Sequence, residues 1–165
     1  MTQKIYRAVE TAITFKDSGG DAVITLANLG FGAGRVSAQY DRGAGSKPMR
    51  YKWKAVMQWT ASPVVGEVAE LNVAESDGTY IDGNVGAADA AFLTGVKADL
   101  TLIGLVGVTA ASGATNMIAS GVCHIWERYF SVGVWNASAA KNLQNTANVS
   151  LIVFTPMPDE IQADV

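Results

Sequence analysis

The sequence predicts an all-β fold, an antiparallel two-sheet sandwich of jelly-roll type with little helix. Two observations carry this prediction. Residues 49–59 alternate between apolar, often aromatic, side chains and mostly basic ones, which is the period of a β-strand with one buried face. Further strand-like segments follow at sandwich-like spacing, separated by turns rich in Gly and Asp, and no segment indicates a helix longer than about three turns.

The predicted strands follow one another through most of the chain. They are residues 11–16, 22–27, 35–40, 49–59, 67–74, 100–109, 117–126, 129–136 and 149–156. Residues 77–97 are rich in Gly, Ala and Asp, and within them residues 87–94 fit one or two helical turns. The jelly roll is the preferred topology, and an immunoglobulin-like sandwich is the alternative.

Length and composition indicate one domain over residues 1–165, with an N-terminal arm at 1–10 and a C-terminal tail at 157–165. Charged residues make up 16% of the chain, against a typical ~25%, which favours a surface partly buried against partners. The net charge of −3 argues against a nucleic-acid partner. The single Cys123 excludes an internal disulfide framework.

No membrane association is expected from the sequence. The first residues lead into no apolar signal segment. The apolar stretch 100–111 is shorter than the ~20 residues that a bilayer-spanning helix needs. The chain is therefore expected to be made in the cytoplasm.

The polar face of residues 49–59 is the strongest candidate binding feature. It carries Arg50, Lys52 and Lys54, whereas the aromatic residues of the same strand point the opposite way. Nucleic-acid platforms combine aromatic and basic residues on one surface, so this arrangement argues against nucleic acid. It fits either a solvated strand face or electrostatic contact with an acidic protein surface.

Two late strands are apolar on both faces. One face of residues 100–108 carries Ile103 and Leu105, and one face of residues 149–156 carries Ile152 and Phe154. A sandwich strand normally leaves one face to water, so a second apolar face needs a cover. We expect a neighbouring subunit to cover these four residues; covering loops are the alternative.

The glycine-rich loops lack the context of nucleotide-binding motifs. Residues 30–34 would need Gly at position 35 for a dinucleotide fingerprint, and Arg35 stands there. Residues 43–48 lack the Gly-Lys-Ser/Thr order of a phosphate loop. No Gly-x-Ser-x-Gly elbow occurs either. These loops are expected to be turns, and no cofactor is expected.

Metal and nucleophile chemistry is equally weakly supported. The nearby carboxylates Glu75, Asp77, Asp82 and Asp89 lack the spacing of a calcium loop. Cys123 and His124, the only histidine, are adjacent strand residues and should point to opposite faces. We therefore expect neither a catalytic residue nor a metal, and predict a protein that is not an enzyme.

The chain combines Gly- and Ala-rich strands and few charges with the segment 64–86 and an extended end at 149–158. In these features it resembles small structural proteins of tailed-bacteriophage virions. Within that group the chain looks most like a capsid decoration (cement) protein. The resemblance implies a homotrimer on the virion capsid surface that binds the major capsid protein and stabilises the shell.

Two other functions stay open at the level of sequence. One is a carbohydrate-binding, lectin-like module of a tail fibre, which would use an exposed aromatic residue such as Tyr80 or Trp135. The other is a tail-tube or adaptor subunit. Under the leading hypothesis, Arg50, Lys52 and Lys54 contact the shell, and the second apolar faces of the late strands form the subunit interface.

Overall fold

The computed structural model describes residues 11–45 and 47–157. The elements are β1 (Ile13–Lys16), β2 (Ala22–Val23), β3 (Ala33–Val36), β4 (Tyr40–Asp41), β5 (Arg50–Met57), β6 (Val68–Ser76), β7 (Ala90–Phe92), α1 (Thr94–Lys97), β8 (Thr101–Gly107), β9 (Met117–His124), β10 (Tyr129–Asn136) and β11 (Leu151–Met157). The predicted arm 1–10 lies outside the described residues. So does the predicted tail, except for Met157, which ends β11.

The strands form two sheets that pack face to face. One sheet has the order β2-β1-β11-β5-β9, and the other has the order β7-β3-β10-β6-β8, with β4 also paired to β10. All described pairings are antiparallel except β1 with β2. Without the short strands β2, β4 and β7, the two sheets have the strand order of a jelly roll. The predicted fold class is confirmed.

The core lies between the sheets and is centred on aromatic residues from both. Alternate residues of β5 point into the core, as the sequence pattern predicts, and Tyr51 is one of them. The ring of Phe154 lies 5.7 Å from that of Phe15 and 5.4 Å from that of Phe130, measured between centroids. Both contacts are edge-on. Phe130 belongs to the second sheet, so its contact with Phe154 joins the two sheets.

Trp53 fills the space beneath the two edge strands β8 and β9. Both strands present a glycine to its ring, Gly104 from β8 and Gly121 from β9. A Cβ atom at either position would lie under 3.0 Å from ring atoms of Trp53. The two sheets therefore pack closely at this side. We call the contact between the edge strands β8 and β9 the seam.

The outer face of the second sheet is covered by the chain itself. Residues 77–100 fold over it and form a second apolar cluster. Its buried members are Val36, Ala74, Phe92, Leu100 and Trp135. Where the sequence indicated helical turns at 87–94, strand β7 pairs with β3, and the single-turn helix α1 follows.

Asp89 anchors this cover to the rest of the sandwich. Its carboxylate accepts hydrogen bonds from Arg35 Nε and Nη2, both at 2.7 Å, and from the Thr25 hydroxyl at 2.5 Å. Burial raises the pKa of Asp89, but the hydrogen bonds from Arg35 and Thr25 together outweigh it. The net result is a pKa below the ordinary 3.8.

The lowered pKa predicts that Asp89 stabilises the fold above pH 4 and loses this effect in acid. A group with a depressed pKa in the folded state contributes stability above its unfolded pKa, and that contribution disappears as the pH falls through the folded pKa. Urea unfolding should show Asp89→Asn less stable than wild type at pH 7, with a gap that narrows below pH 4. The exposed Asp99→Asn is the control. A gap that stayed constant down to pH 2 would contradict the assignment.

Candidate interaction surface

The outward face of β5 carries the three basic residues singled out in the sequence. Arg50, Lys52 and Lys54 alternate with buried residues and are exposed on the outer face of the five-stranded sheet. Their placement on one face is confirmed, whereas their role in binding stays a prediction. We call the outer face of this sheet the basic face.

The basic face has no carboxylate of its own on its strands. None of the strands β1, β2, β5, β9 and β11 contains an Asp or Glu residue. In the part of the chain that the structure describes, Arg50, Lys52 and Lys54 make no ion pair, unlike Arg35, Lys97 and Arg128. Among residues 11–45 and 47–157, an otherwise acidic protein thus presents one sheet face whose cations pair with no carboxylate.

Apolar side chains lie among these cations. Lys52 stands between Thr155 and Val122, and Val56 stands between Leu151 and Ile118 on the neighbouring strands. Ile118 is 60% exposed and Val122 53% exposed. The face thus carries uncovered aliphatic side chains beside its charges, and an exposed apolar patch rimmed by polar residues is a feature of interaction sites.

Exposed aliphatic side chains flank the seam on both sides. Leu102 and Leu105 of β8 are exposed on one side, and Ile118 and Val122 of β9 are exposed on the other. Neither strand carries a charged residue to protect its edge. These four residues are called the apolar edge below.

The predicted subunit contact through Ile152 and Phe154 is wrong. Both side chains are fully buried in the core between the sheets, where no other molecule reaches them. Their cross-strand partners Ala55 and Trp53 point inward as well. The assignment failed because β11 is apolar on both faces, so its sequence alone does not tell the core face from the outer face.

The other two predicted contact residues, Ile103 and Leu105, differ in exposure because β8 contains a β-bulge. The register shifts between Leu71 and Asn72 of the partner strand, which pair with Gly104 and Leu102 and leave Ile103 without a direct partner. Ile103 is half-buried and packs against the core. Leu105 is 49% exposed and belongs to the apolar edge. Only Leu105 of the four predicted residues is therefore largely accessible.

The aromatic residues proposed for sugar binding differ in exposure. Tyr80 is 79% exposed, but Trp135 is only 8% exposed and lies in the cluster beneath residues 77–100. The Lys97 ammonium sits 5.0 Å from the centroid of the Trp135 ring, which covers it further. The exposed tryptophan is Trp126, at 64%. Sequence reasoning missed it because it assigned Trp126 to the end of a strand.

The candidate metal-binding carboxylates accept hydrogen bonds from backbone N–H groups of nearby turns and strands. Glu75 accepts backbone N–H groups of the 126–127 turn, Asp77 those of the 79–80 turn, and Asp82 the N–H of Glu75. Within residues 11–45 and 47–157, no three His, Cys, Asp or Glu side chains are placed to hold a metal ion together.

Cys123 and His124 point to opposite sides of β9, as predicted. Cys123 is buried, while His124 is exposed and stacks on the ring of Trp126. Burial, reinforced by the charge of Glu75, raises the pKa of the Cys123 thiol to about 12. The thiol therefore stays protonated near neutral pH, which does not suit a nucleophile.

No protein-family profile matches the chain, and no curated protein sequence matches it significantly. Among the described residues, no helix is long and apolar enough to cross a membrane.

Proposed function

We propose that this protein is a non-enzymatic structural protein of a tailed-bacteriophage virion. In this role it is a capsid decoration (cement) protein, made in the host cytoplasm, that binds the major capsid protein on the outer shell as a homotrimer and stabilises it. The observation that carries the proposal is the basic face, a hydrogen-bonded sheet surface whose cations pair with no described carboxylate and lie beside exposed aliphatic side chains.

The basic face suits a partner with an acidic surface. Its cations stand on a central strand with hydrogen-bonded neighbours on both sides, so their spacing is fixed before binding. Complementary charge favours encounter and orientation, and the half-buried Leu151 and Val153 of the neighbouring strand β11 add aliphatic contact area that water must leave. Many copies bound to one shell would together form many such contacts with neighbouring capsid subunits.

The apolar edge suits contact between copies of the protein. It replaces Ile152 and Phe154 as the proposed subunit interface and keeps Leu105 from the sequence prediction. Because it lies where β8 and β9 meet, it borders the basic face through Ile118 and Val122. A trimer built through this edge would leave most of each basic face free for the shell.

Charge reversal on the basic face tests the proposal. Shells of the major capsid protein encoded in the same genome would be sedimented with wild-type protein and with the double variant Lys52→Glu, Lys54→Glu. We expect at least a ~10-fold loss of occupancy, since each reversal turns an attraction of about 1 kcal/mol at an exposed site into a repulsion. Wild-type binding should also weaken with salt.

Lys141→Glu is the control because it makes the same charge change in the loop between β10 and β11, away from the basic face. Thermal unfolding would confirm that all variants are folded. No binding of the wild-type protein to shells would overturn the proposed function. Equal binding of wild type and the double variant would instead overturn the role of the basic face.

A further inference from the structure

The sequence that follows β11 is acidic. Residues 158–165 contain the carboxylates Asp159, Glu160 and Asp164 and no Lys, Arg or His. They lie outside the described residues, and we call them the acidic segment. Their charge is opposite in sign to that of the basic face, and β11, from which they continue, belongs to the sheet that carries this face.

The pairing of β11 with β5 fixes where the acidic segment begins. Met157, the last residue of β11, pairs with Arg50, the first residue of β5. By the alternation of the strand, Met157 lies on the outward side of the sheet, as Val153 does. The ladder ends before Pro158, which has no backbone N–H with which to extend it. The acidic segment therefore starts at the Arg50 end of the basic face.

The acidic segment is long enough to run back over the cations of β5. Arg50 and Lys54 are four residues apart, a distance of roughly 13 Å at the rise of a β-strand. The eight residues of the segment span up to about 26 Å when extended, so the chain can reverse its direction and still cover this distance. Its first two carboxylates then lie near Arg50, and Asp164 lies near Lys54.

The other charged groups around the basic face leave its cations open to such a partner. Lys16 of β1 and His124 of β9 lie on the same outward side and add no negative charge. The carboxylates at the borders of the sheet are Asp17, Asp21, Asp41, Glu75 and Glu127. None of them belongs to a strand of this sheet, and all but Glu127 accept hydrogen bonds from backbone or guanidinium groups of their own surroundings.

The apolar residues of the acidic segment also have a counterpart on the basic face. Ile161 and Val165 are interspersed with the carboxylates. On the face, Val122 is 53% exposed and lies directly opposite Lys52, while Val153 on the other side of β5 is half-buried. The segment and the face therefore match both in charge and in exposed aliphatic groups.

We propose that the acidic segment docks on the basic face of its own chain, with its carboxylates beside Arg50, Lys52 and Lys54. A short tether gives the segment an effective concentration of millimolar order, which favours its own face over that of a second copy in dilute solution. The docking does not depend on the role in the capsid. Its consequence rests on the proposed function: the segment and the shell compete for the same cations.

Spin labelling followed by NMR tests the docking in the full chain. A nitroxide would be attached to the variant Gln162→Cys, and the buried Cys123, whose thiol stays protonated near neutral pH, would not react. In the ¹⁵N-labelled protein, the amide signals of Lys52 and Lys54 should lose most of their intensity. Signals next to Met157 lose intensity wherever the segment lies, so they serve only to show that the label is active.

Neutralising the acidic segment separates docking from mere proximity. Its three carboxylates would be replaced together, as Asp159→Asn, Glu160→Gln and Asp164→Asn. The signals of Lys52 and Lys54 should then recover, and they should also recover in 1 M salt, where the Debye length is about 3 Å. The control Asp99→Asn removes an exposed carboxylate elsewhere and should leave the loss of signal unchanged.

A mixed sample distinguishes the chain's own segment from that of a second copy. It combines ¹⁵N-labelled protein without the nitroxide and unlabelled protein that carries it. We expect no loss of the Lys52 and Lys54 signals in the mixture. A loss as large as in the singly prepared sample would overturn the proposal and assign the segment to a neighbouring copy. A loss that persists after neutralisation, or no loss in either sample, would overturn it as well.

Sedimentation with capsid shells tests the competition. At a protein concentration that does not saturate the shells, the neutralised chain should reach about 3-fold higher occupancy than wild type, because an occupied face lowers the apparent affinity by the fraction of molecules that are free to bind. Equal occupancy would overturn the competition. If neither chain binds shells, the proposed function fails, and the NMR result still decides whether the acidic segment docks.

Discussion

Replacing Phe154 by alanine should lower the free energy of unfolding by about 3–5 kcal/mol, the range for large aromatic residues removed from a core. The side chain is fully buried, and its ring contacts those of Phe15, Tyr51 and Phe130. Because Phe130 comes from the opposite sheet, the cavity would loosen the contact between the sheets. Urea denaturation of wild type and variant measures the loss.

Val153→Ala is the matched control, since Val153 is the neighbour of Phe154 on β11 and points outward. It should cost clearly less, about 1 kcal/mol or below. Light scattering on both folded variants should give the molar mass of the wild type. A Phe154→Ala protein that kept its stability but lost self-association would contradict the core position and restore Phe154 to a subunit interface.

Replacing Gly104 by alanine should destabilise the fold by about 2–3 kcal/mol. The new methyl group would fall under 3.0 Å from ring atoms of Trp53, and that ring is also confined by Gly121 on the other side of the seam. Overpacking a filled core forces side chains or strands to shift, at a cost in this range. Chemical denaturation would measure the cost.

Gly107→Ala provides the control on the same strand. A Cβ atom at Gly107 would meet nothing within 4 Å, so this change should leave the stability within about 1 kcal/mol of the wild type. Equal losses of stability at Gly104 and Gly107 would contradict the close packing of the seam on Trp53. A selective effect at Gly104 would show that the two sheets meet over Trp53.

The sequence predicted those features that depend on one strand at a time. Polar and apolar residues alternate clearly in β5, and this alternation alone was enough to predict the basic face of Arg50, Lys52 and Lys54. The number of strands and their turns then favoured a two-sheet sandwich. The order of strands in the sheets did not follow from the sequence, because local patterns do not encode strand pairing. The jelly roll was therefore only the preferred topology.

Alternation within one strand did not predict the core face of strands that are apolar on both faces. In β11 either face could have been the core face, and the aromatic Phe154 lies inward beside Trp53 of β5. In β8 a bulge at Ile103 changes the alternation, so that Leu102 and Leu105 lie exposed together. Both outcomes depend on the register with a neighbouring strand, which no period within a single strand reveals.

The exposed Trp126 was missed for a similar reason. A turn residue at the end of a predicted strand looks like part of that strand in the sequence. In the structure β9 ends at His124, and the backbone N–H groups of Trp126 and Glu127 bind Glu75 instead of a neighbouring strand. The side chain of Trp126 is left 64% exposed.

The most direct test of the proposed role is a cryo-electron microscopy reconstruction of phage shells incubated with the purified protein. We expect density outside the shell, grouped as trimers, with the five-stranded sheet facing the major capsid protein and the apolar edges of Leu102, Leu105, Ile118 and Val122 in contact between copies. Undecorated shells would contradict the proposed function. Decoration with the basic face turned to solvent would contradict the surface on which the proposal depends.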